Sequence, residues 1–315
     1  MPVNILSYIR GLLQGYKVTC TYLERQLGFS HDVLTRTLRE KFRWITYYRW
    51  VVHVLFGNLS NGWIILDDTV LAKPFGKKFP QASVIYSSCL ETYVFGYNLV
   101  FVCWSDGTKT IPLCWRWYRK HEKTKIELAA ELLKEVRTLW KIHPKNVLFD
   151  SWYGAEVIIN QLEAYHWKFV CKVKKNRVIN GSSISEELVH DGDEIVGLLT
   201  GYCQVRIIKN EDRYLATNDG DISQGDIIGW YAKRWAIEDV FRFLKDQLHL
   251  ERCQARTKTA QKTHLMGCLV SYLMIVKENT IHPEKTLYRI KEDWLHNRAF
   301  SKNQFTKYSK LFTVA

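Results

Sequence analysis

Residues 63–69 read Trp63-Ile64-Ile65-Leu66-Asp67-Asp68-Thr69, an uninterrupted apolar run that leads into two acids. A short continuous run of this kind predicts a strand buried on both faces, with carboxylates at its C-terminal end. A second short strand, predicted for Asn146 to Asp150, also ends in an acid. Two buried strands thus each deliver a carboxylate, and the other elements have to be placed around them.

The segments around the two strands alternate between strand and helix patterns. Tyr93 to Trp104 and Lys109 to Tyr118 are joined by a Ser-Asp-Gly-Thr turn and predict a hairpin. Thr124 and Glu127 form a capping box at the start of a helix, and a further helix is expected at Ala155 to Ala164. By itself, this order indicates only a mixed α/β class.

The second half of the chain has a β-like region followed by long helices. Residues 167–218 are charged, rich in turns and β-like, and they look inserted. Helices are predicted for about 223–249 and 258–279, and a basic, aromatic tail follows. The apolar run Leu265 to Val276 is well short of the ~20 residues that a membrane span needs, so we expect a core helix there.

The N-terminal region is helical and basic, and Thr21 to Glu40 has the outline of a helix-turn-helix. Gly28 would take the left-handed cap position between the two helices. Arg36 and Arg39 on the second helix would then face a DNA groove. Helix pairs with this outline also occur in proteins that never touch DNA, so the sequence leaves both interpretations open.

The charge balance indicates a polyanionic partner. The chain has 315 residues, 45 of them Lys or Arg, and a formal net charge of +13. Nucleic acid is the first expectation and an acidic membrane surface the second. The 12 Trp and 17 Tyr interleaved with these cations suit a surface that holds phosphates and stacks on bases, although most of them belong in a core. The cysteines show no paired spacing, which argues against a zinc site or a disulfide framework.

One face of the predicted helix at 223–249 carries four polar residue types. Tyr231, Arg234, Glu238 and Lys245 fall within a sector of roughly 60° at about 100° per residue. An apolar stripe beside them would anchor the helix on the core. A helix decorated with surface ion pairs is the alternative interpretation, since Arg234 and Glu238 are four residues apart.

Three motifs together resemble a known family. Tyr231, Arg234, Glu238 and Lys245, with the intervening Trp and Ile, closely resemble the Tyr-Arg-Glu-Lys signature of bacterial insertion-sequence DDE transposases. The resemblance is to the branch whose catalytic domain carries a β-insertion. Residues 66–69 look like the first motif of that family, and residues 149–154 look like its second.

The resemblance covers roughly residues 60–280 and implies a domain organisation. It implies an α/β fold with a ribonuclease H-like core at 59–280 and a β-rich insertion at about 167–218. In that core, the acids that follow the first and fourth strands lie next to each other. The two ends of the chain are not covered by the resemblance. Their own residue patterns predict a helical DNA-binding region with the outline of a helix-turn-helix at 1–58 and a basic C-terminal tail at 281–315.

The resemblance also implies a metal-dependent reaction. Asp67, Asp150 and Glu238 would be the catalytic acids and would bind two Mg²⁺ ions, for which Mn²⁺ substitutes. Asp67 would bridge both ions, while the other two acids would each complete one. Asp68 remains an alternative to Asp67, because successive strand residues point to opposite faces.

The remaining signature residues would hold DNA. Arg234 and Lys245 would contact phosphates, and Tyr231 would hydrogen-bond to a phosphate near the cleaved end.

The function implied is that of a DNA transposase that cleaves transposon ends and transfers the 3′-hydroxyl strand to target DNA. Its partner would be double-stranded DNA, both the terminal inverted repeats and the target, bound by a homodimer with no role for a membrane. The expected location is the bacterial cytoplasm, in association with the nucleoid. Two alternatives are an inactive, transposase-derived DNA-binding protein and a nuclease that does not transpose.

Overall fold

The structure is a computed structural model that describes residues 4–74, 76, 79, 82–87, 90–199 and 203–313. The chain divides into two units, each assembled from distant segments. The helical unit comprises Met1–Asn58, Val70–Tyr97 and Phe241–Ala315, and the sheet unit comprises Leu59–Thr69 and Asn98–Val240. Both units are discontinuous in sequence, whereas the domain boundaries predicted from the sequence are consecutive. Those boundaries stay predictions.

The strands, in chain order, are β1 (Trp63–Ala72), β2 (Ser83–Ser87), β3 (Thr92–Ser105), β4 (Thr110–Tyr118), β5 (Asn146–Phe149), β6 (Phe169–Val173), β7 (Val178–Ile179), β8 (Ser182–Ser183), β9 (Glu194–Leu198), β10 (Gln204–Asn210) and β11 (Arg213–Thr217). The helices are α1 (Ile5–Gln14), α2 (Cys20–Leu27), α3 (His31–Arg39), α4 (Trp44–Phe56), α5 (Lys125–Glu135), α6 (Glu156–Ala164), α7 (Ile184–Glu187), α8 (Gln224–Ala232), α9 (Ala236–Asp246), α10 (Lys258–Ile281), α11 (Leu287–His296), α12 (Arg298–Tyr308) and α13 (Lys310–Thr313).

A mixed sheet organises the sheet unit. Its strands lie in the order β3-β1-β5-β6-β11-β10-β9, and β4 pairs with β3. β1 runs parallel to β5, with Leu66 opposite Phe149, and β5 runs parallel to β6. Asp67 and Asp150 each come directly after these paired residues. The predicted adjacency of the two acids is therefore confirmed.

The central strands are buried because they are apolar on both faces. Ile64, Ile65 and Leu66 in β1 are fully buried, as are Val147 and Leu148 in β5. Removing such side chains from water supplies the main driving force for this arrangement. α5 packs against β4 and α6, and it begins with the predicted capping box of Thr124 and Glu127.

The β-rich region predicted at 167–218 is present, but its first strand belongs with the core strands. β6 pairs in parallel with β5, and four of its five residues are buried. The sequence Phe-Val-Cys-Lys-Val has the nearly continuous apolar character of a parallel strand, which explains the placement. β11, β10 and β9 then extend the same sheet with antiparallel pairing.

The helix predicted at 223–249 is divided into two by a tight turn. α8 leads into a 3-10 turn at Lys233–Trp235, and α9 follows and ends at Asp246. The helix ends before residue 249, where His249 takes a left-handed φ of 57°. Side chains three residues apart are eclipsed in a 3-10 turn, which favours close approach of Tyr231 and Arg234.

The helical unit is built around α10, against which α1, α3, α4 and α11 pack. The run from Leu265 to Val276 is buried, as predicted for a core helix. In the described part of the chain, no helix combines the length and hydropathy required to cross a bilayer. Gly28 has the expected left-handed conformation between α2 and α3, with a φ of 73°. The predicted tail forms the helices α11 and α12. Their apolar side chains Ile290, Trp294 and Tyr308 are buried, which stabilises these helices.

Candidate active site

Asp67 and Asp150 are delivered to neighbouring positions by the parallel pair β1 and β5. Asp67 lies within β1, immediately after the buried Leu66, and Asp150 lies in the turn that follows β5. The two carboxylates are close enough for the negative charge of Asp150 to raise the pKa of Asp67. Two strands of one sheet thus concentrate negative charge at one place.

Arg234 connects Asp67 to the glutamate of the helix signature. Its Nη1 donates to Asp67 Oδ2 at 2.7 Å, and its Nη2 donates to Glu238 Oε1 at 2.8 Å. The Arg234 side chain is only 13% exposed, so both ion pairs are largely shielded from water. The guanidinium therefore holds together Asp67 and Glu238, two acids that are 171 positions apart in the sequence. The ion pair between Arg234 and Glu238 that was the alternative interpretation of this helix is present, but it is part of a larger cluster that includes Asp67.

Burial raises the pKa of the Asp67 carboxyl from 3.8 to about 7. The positive charge of Arg234 and the backbone N–H of Asp68 lower this pKa, while the charges of Asp150 and Asp68 raise it further. Burial and like charge outweigh the ion pair. A carboxylate in this position gains from any additional cation placed beside it.

Asp68 has a separate set of partners. Its Oδ2 accepts hydrogen bonds from Asn98 Nδ2 at 2.9 Å and from Lys125 Nζ at 2.7 Å. Its Oδ1 accepts a hydrogen bond from the Tyr153 hydroxyl at 2.8 Å. Asp67 instead contacts Arg234, as expected for neighbouring residues on the two faces of a strand. This geometry favours Asp67 over Asp68 as the acid that faces Glu238.

Tyr231 lies against Arg234, as the tight turn between their helices favours. The guanidinium carbon is 5.7 Å from the centre of the Tyr231 ring, and Tyr231 is 9% exposed. Burial raises the pKa of the phenol, and the adjacent Arg234 lowers it. One cluster within the sheet unit thus contains Tyr231, Arg234, Glu238 and Asp67. We include Asp150 in it and call these five residues the carboxylate cluster.

The other predicted DNA-binding residues belong to the helical unit. Lys245, near the end of α9, is 3.8 Å from Glu251. Arg36 and Arg39 are exposed on α3, as a DNA-facing helix requires. Their roles in DNA binding stay predictions.

Across the residues that the structure covers, no three His, Cys, Asp or Glu side chains converge closely enough to form a metal-binding group. Two of the predicted acids, Asp67 and Glu238, instead bind the guanidinium of Arg234. The donor set itself fits Mg²⁺, since it consists of carboxylate oxygens.

Several residues of this region were not predicted from the sequence. Asn98 is buried in β3, and Lys125 opens α5, so only the fold brings them to Asp68. A polar Asn inside the apolar run of β3 was the available signal. Trp152 and Tyr153 belong to the second motif, and the backbone N–H of Trp152 donates to Asp150 Oδ1 at 2.9 Å.

Comparison with solved structures shows which fold this is. The structure is similar to a piggyBac transposase, solved as a synaptic complex with hairpin DNA, with a TM-score of 0.59 and 12% identity. The similarity covers 98% of this chain and 76% of that one. The ribonuclease H-like α/β fold predicted from the sequence is confirmed. The Mos1 strand transfer complex also matches, with a TM-score of 0.21 and 17% identity over 48% of this chain and 52% of that one.

Comparison by sequence shows the family. None of the curated proteins compared matches the chain. The family model described as the transposase DDE domain matches residues 63–274, which is most of the chain and includes all three predicted acids. The chain therefore belongs to the DDE-domain transposases.

Proposed function

We propose that this protein cleaves the ends of a transposable element and joins the freed 3′-hydroxyl strand to target DNA. One observation carries the proposal: Arg234 binds Asp67 and Glu238 together, and the charge of Asp150 acts on Asp67. The three acids of the family pattern are thereby brought to a single cluster by a strand, a turn and a helix. The resemblance to the bacterial branch with the Tyr-Arg-Glu-Lys signature belongs to the same proposal.

Asp67, Asp150 and Glu238 would hold the metal ions. Two bound Mg²⁺ ions, for which Mn²⁺ would substitute, would stabilise the attacking and leaving oxygens of an in-line displacement at phosphorus. Asp67 is the central acid, since it is influenced by both Asp150 and Arg234. These surroundings suit an acid that would hold a metal ion.

The chain's own cations would position the DNA. Arg234 presents a planar group of five N–H donors, which suits the paired oxygens of a phosphate as well as carboxylates. Tyr231, stacked against it, would donate its hydroxyl to a phosphate oxygen near the cleaved bond. Lys245 would add a further phosphate contact.

The proposed partner is double-stranded DNA. The net charge of +13 supports a polyanionic ligand, and the piggyBac relative was solved with hairpin DNA. We further propose that a homodimer binds the two terminal inverted repeats and the target, in association with the nucleoid of a bacterial cytoplasm.

The proposal is tested with purified protein, DNA that carries the ends of its element, and Mg²⁺. Wild type and the variants Asp67→Ala, Asp150→Ala and Glu238→Ala are compared for DNA nicking. DNA binding is measured in parallel in Ca²⁺, as a control for folding. We expect all three variants to bind DNA and to lose nicking by at least about 100-fold, as for a lost essential electrostatic contact.

Two results would contradict the proposal. Nicking that persists in all three variants would remove these acids from the reaction. Wild-type protein that binds the ends but cleaves in neither Mg²⁺ nor Mn²⁺ would identify a transposase-derived DNA-binding protein instead.

A further inference from the structure

Trp152 exposes a large aromatic side chain beside the carboxylate cluster. Its exposed fraction is 58%, and that of Trp235 is 52%, whereas Trp44, Trp63, Trp104 and Trp294 are each at most 8% exposed. Leaving an indole in water forgoes a large apolar burial. An indole kept exposed at this position is therefore available to a ligand.

The turn that carries Trp152 is fixed on both sides. The backbone N–H of Trp152 donates to Asp150 Oδ1 at 2.9 Å. The next residue, Tyr153, is 1% exposed, and its hydroxyl donates to Asp68 at 2.8 Å. Because the backbone of Trp152 and the side chain of Tyr153 are both held, the indole is presented from a fixed turn.

Two lysines lie against the Trp152 ring. Lys125 Nζ is 5.6 Å from the ring centre, and Lys174 Nζ is 5.8 Å from it. Lys125 is held by its ion pair with Asp68 at 2.7 Å, while Lys174 is exposed in the segment after β6. The site thus combines an aromatic platform, one cation held by an ion pair and one exposed cation.

We propose that Trp152, Lys125 and Lys174 form a binding site for one unpaired nucleotide of the DNA. The indole would stack on the base, and the ammonium groups would contact the flanking phosphates. Stacking on the indole needs a base with a free face. A base inside a duplex has both faces covered by its neighbours, so an unpaired nucleotide outside the duplex is the ligand that fits. Stacking of this kind tolerates any base sequence. The inference deepens the proposed function and rests on it.

The test compares two DNA probes. One is a blunt duplex, and the other is the same duplex with a single-stranded overhang that carries a fluorescent purine analogue, whose emission is quenched on stacking. The full chain is used as wild type, Trp152→Leu and Trp152→Phe. The matched control is Tyr86→Leu, which removes another exposed aromatic, 53% exposed in β2.

We expect Trp152→Leu to bind the overhang probe roughly 5- to 150-fold more weakly and to lose the quenching. Its affinity for the blunt duplex should equal that of wild type. Trp152→Phe should retain most of the quenching, because it keeps an aromatic face. Tyr86→Leu should behave as wild type on both probes.

Lys174→Gln gives a second readout. If Lys174 contacts a phosphate of the overhang, this variant should reduce the slope of log affinity against log salt by about 0.7 on the overhang probe only.

The results that overturn the inference differ from those that overturn the proposed function. Equal affinity of wild type and Trp152→Leu for the overhang, or an unquenched analogue with wild type, would exclude a nucleotide site here and leave the transposase proposal intact. Both probes carry an end of the element, so failure of wild type to bind either of them would overturn the proposed function, and this inference with it.

Discussion

At the scale of single residues, Asp67 and Asp68 are adjacent in sequence but differ in their surroundings. Asp68 accepts hydrogen bonds from three side chains, two of them buried. Asp67 accepts one side-chain hydrogen bond, from Arg234, and lies beside like charges. We therefore propose a structural role for Asp68 and a role in the chemistry for Asp67, and the two roles predict opposite effects on stability.

Asp68→Asn is expected to destabilise the protein. The variant leaves the Lys125 ammonium, 20% exposed, without its acid and weakens the bonds from Asn98 and Tyr153. The free energy of unfolding, measured in urea, should fall by about 1 to 3 kcal/mol. Asp191→Asn is the control: its side chain is 61% exposed and pairs with Lys209 in water, so this variant should leave the free energy of unfolding nearly unchanged. Equal effects of the two variants would contradict the structural role.

Asp67→Asn is expected to stabilise the metal-free protein, increasingly so as the pH rises. The raised pKa of about 7 means that between about pH 4 and pH 7 the folded state keeps a proton that the unfolded state has lost. Stability that depends on this group is present below pH 4 and is lost as the pH rises towards 7. The asparagine side chain cannot ionise, so the variant does not lose this stability as the pH rises. Its advantage over wild type, measured by urea unfolding in EDTA, should therefore grow over this range by about 2 to 4 kcal/mol and then level off. A difference in stability between Asp67→Asn and wild type that does not change with pH would contradict the raised pKa of Asp67.

The sequence was sufficient for the positions of these acids but not for their contacts. A continuous apolar run that ends in an acid is a local pattern, and it placed Asp67 and Asp150 at the ends of two strands. That these strands are neighbours was implied by the resemblance to the transposase family, and their parallel pairing agrees with it. The choice between Asp67 and Asp68 depends on Asn98 and Lys125, which approach only after β3 and α5 have folded.

At the scale of elements, the segment from α8 to α9 assembles the cluster. The 3-10 turn between the two helices contains Arg234, which binds across to β1. Periodicity predicted one continuous helix, because a pattern of apolar residues does not distinguish a 3-10 turn from one turn of α-helix. The amphipathic stripe was nevertheless correct, since Ile237, Val240 and Leu244 are buried.

Arg234→Ala is expected to make protein stability depend on Mg²⁺. Removing the guanidinium leaves Asp67 and Glu238 without their shared cation, so the metal-free variant should melt at a lower temperature than wild type. Added Mg²⁺ should recover part of this loss by binding the folded state, and it should raise the Tm of the variant more than that of wild type. Arg206→Ala is the control, since Arg206 pairs with Glu194 in the β-insertion. A Tm shift with Mg²⁺ that is the same in Arg234→Ala and Arg206→Ala would contradict a cation site at the cluster.

At the scale of the whole molecule, the two units are each built from segments that are far apart in sequence. The predicted N-terminal region and the predicted tail belong to one unit with α10. Consecutive domains were the natural expectation from composition, because no local signal shows that α1 and α11 share a partner helix. The sequence shows that the tail is basic. Its buried apolar residues are too few and too far apart to predict α11 and α12.

The exposed arginines of α3 give a prediction about DNA binding by the whole chain. If α3 enters a DNA groove, the double variant Arg36→Ala/Arg39→Ala should bind duplex DNA more weakly without losing stability, since both side chains are exposed. The slope of log affinity against log salt should become shallower by about 2, as two phosphate contacts are lost. Arg213→Ala, an exposed arginine of β11, serves as the comparison. An unchanged slope in the double variant would remove α3 from the DNA interface.

Strand joining is the measurement that tests the central claim most directly. Labelled transposon-end DNA with a free 3′-hydroxyl is incubated with target plasmid, Mg²⁺ and the purified chain, and covalent joining of label to plasmid is followed. Wild type should join the strands, and Asp67→Ala, Asp150→Ala and Glu238→Ala should bind the ends without joining them. Joining that survives in any of the three variants would contradict the assigned acids, and cleavage by wild type without joining would make the protein a nuclease.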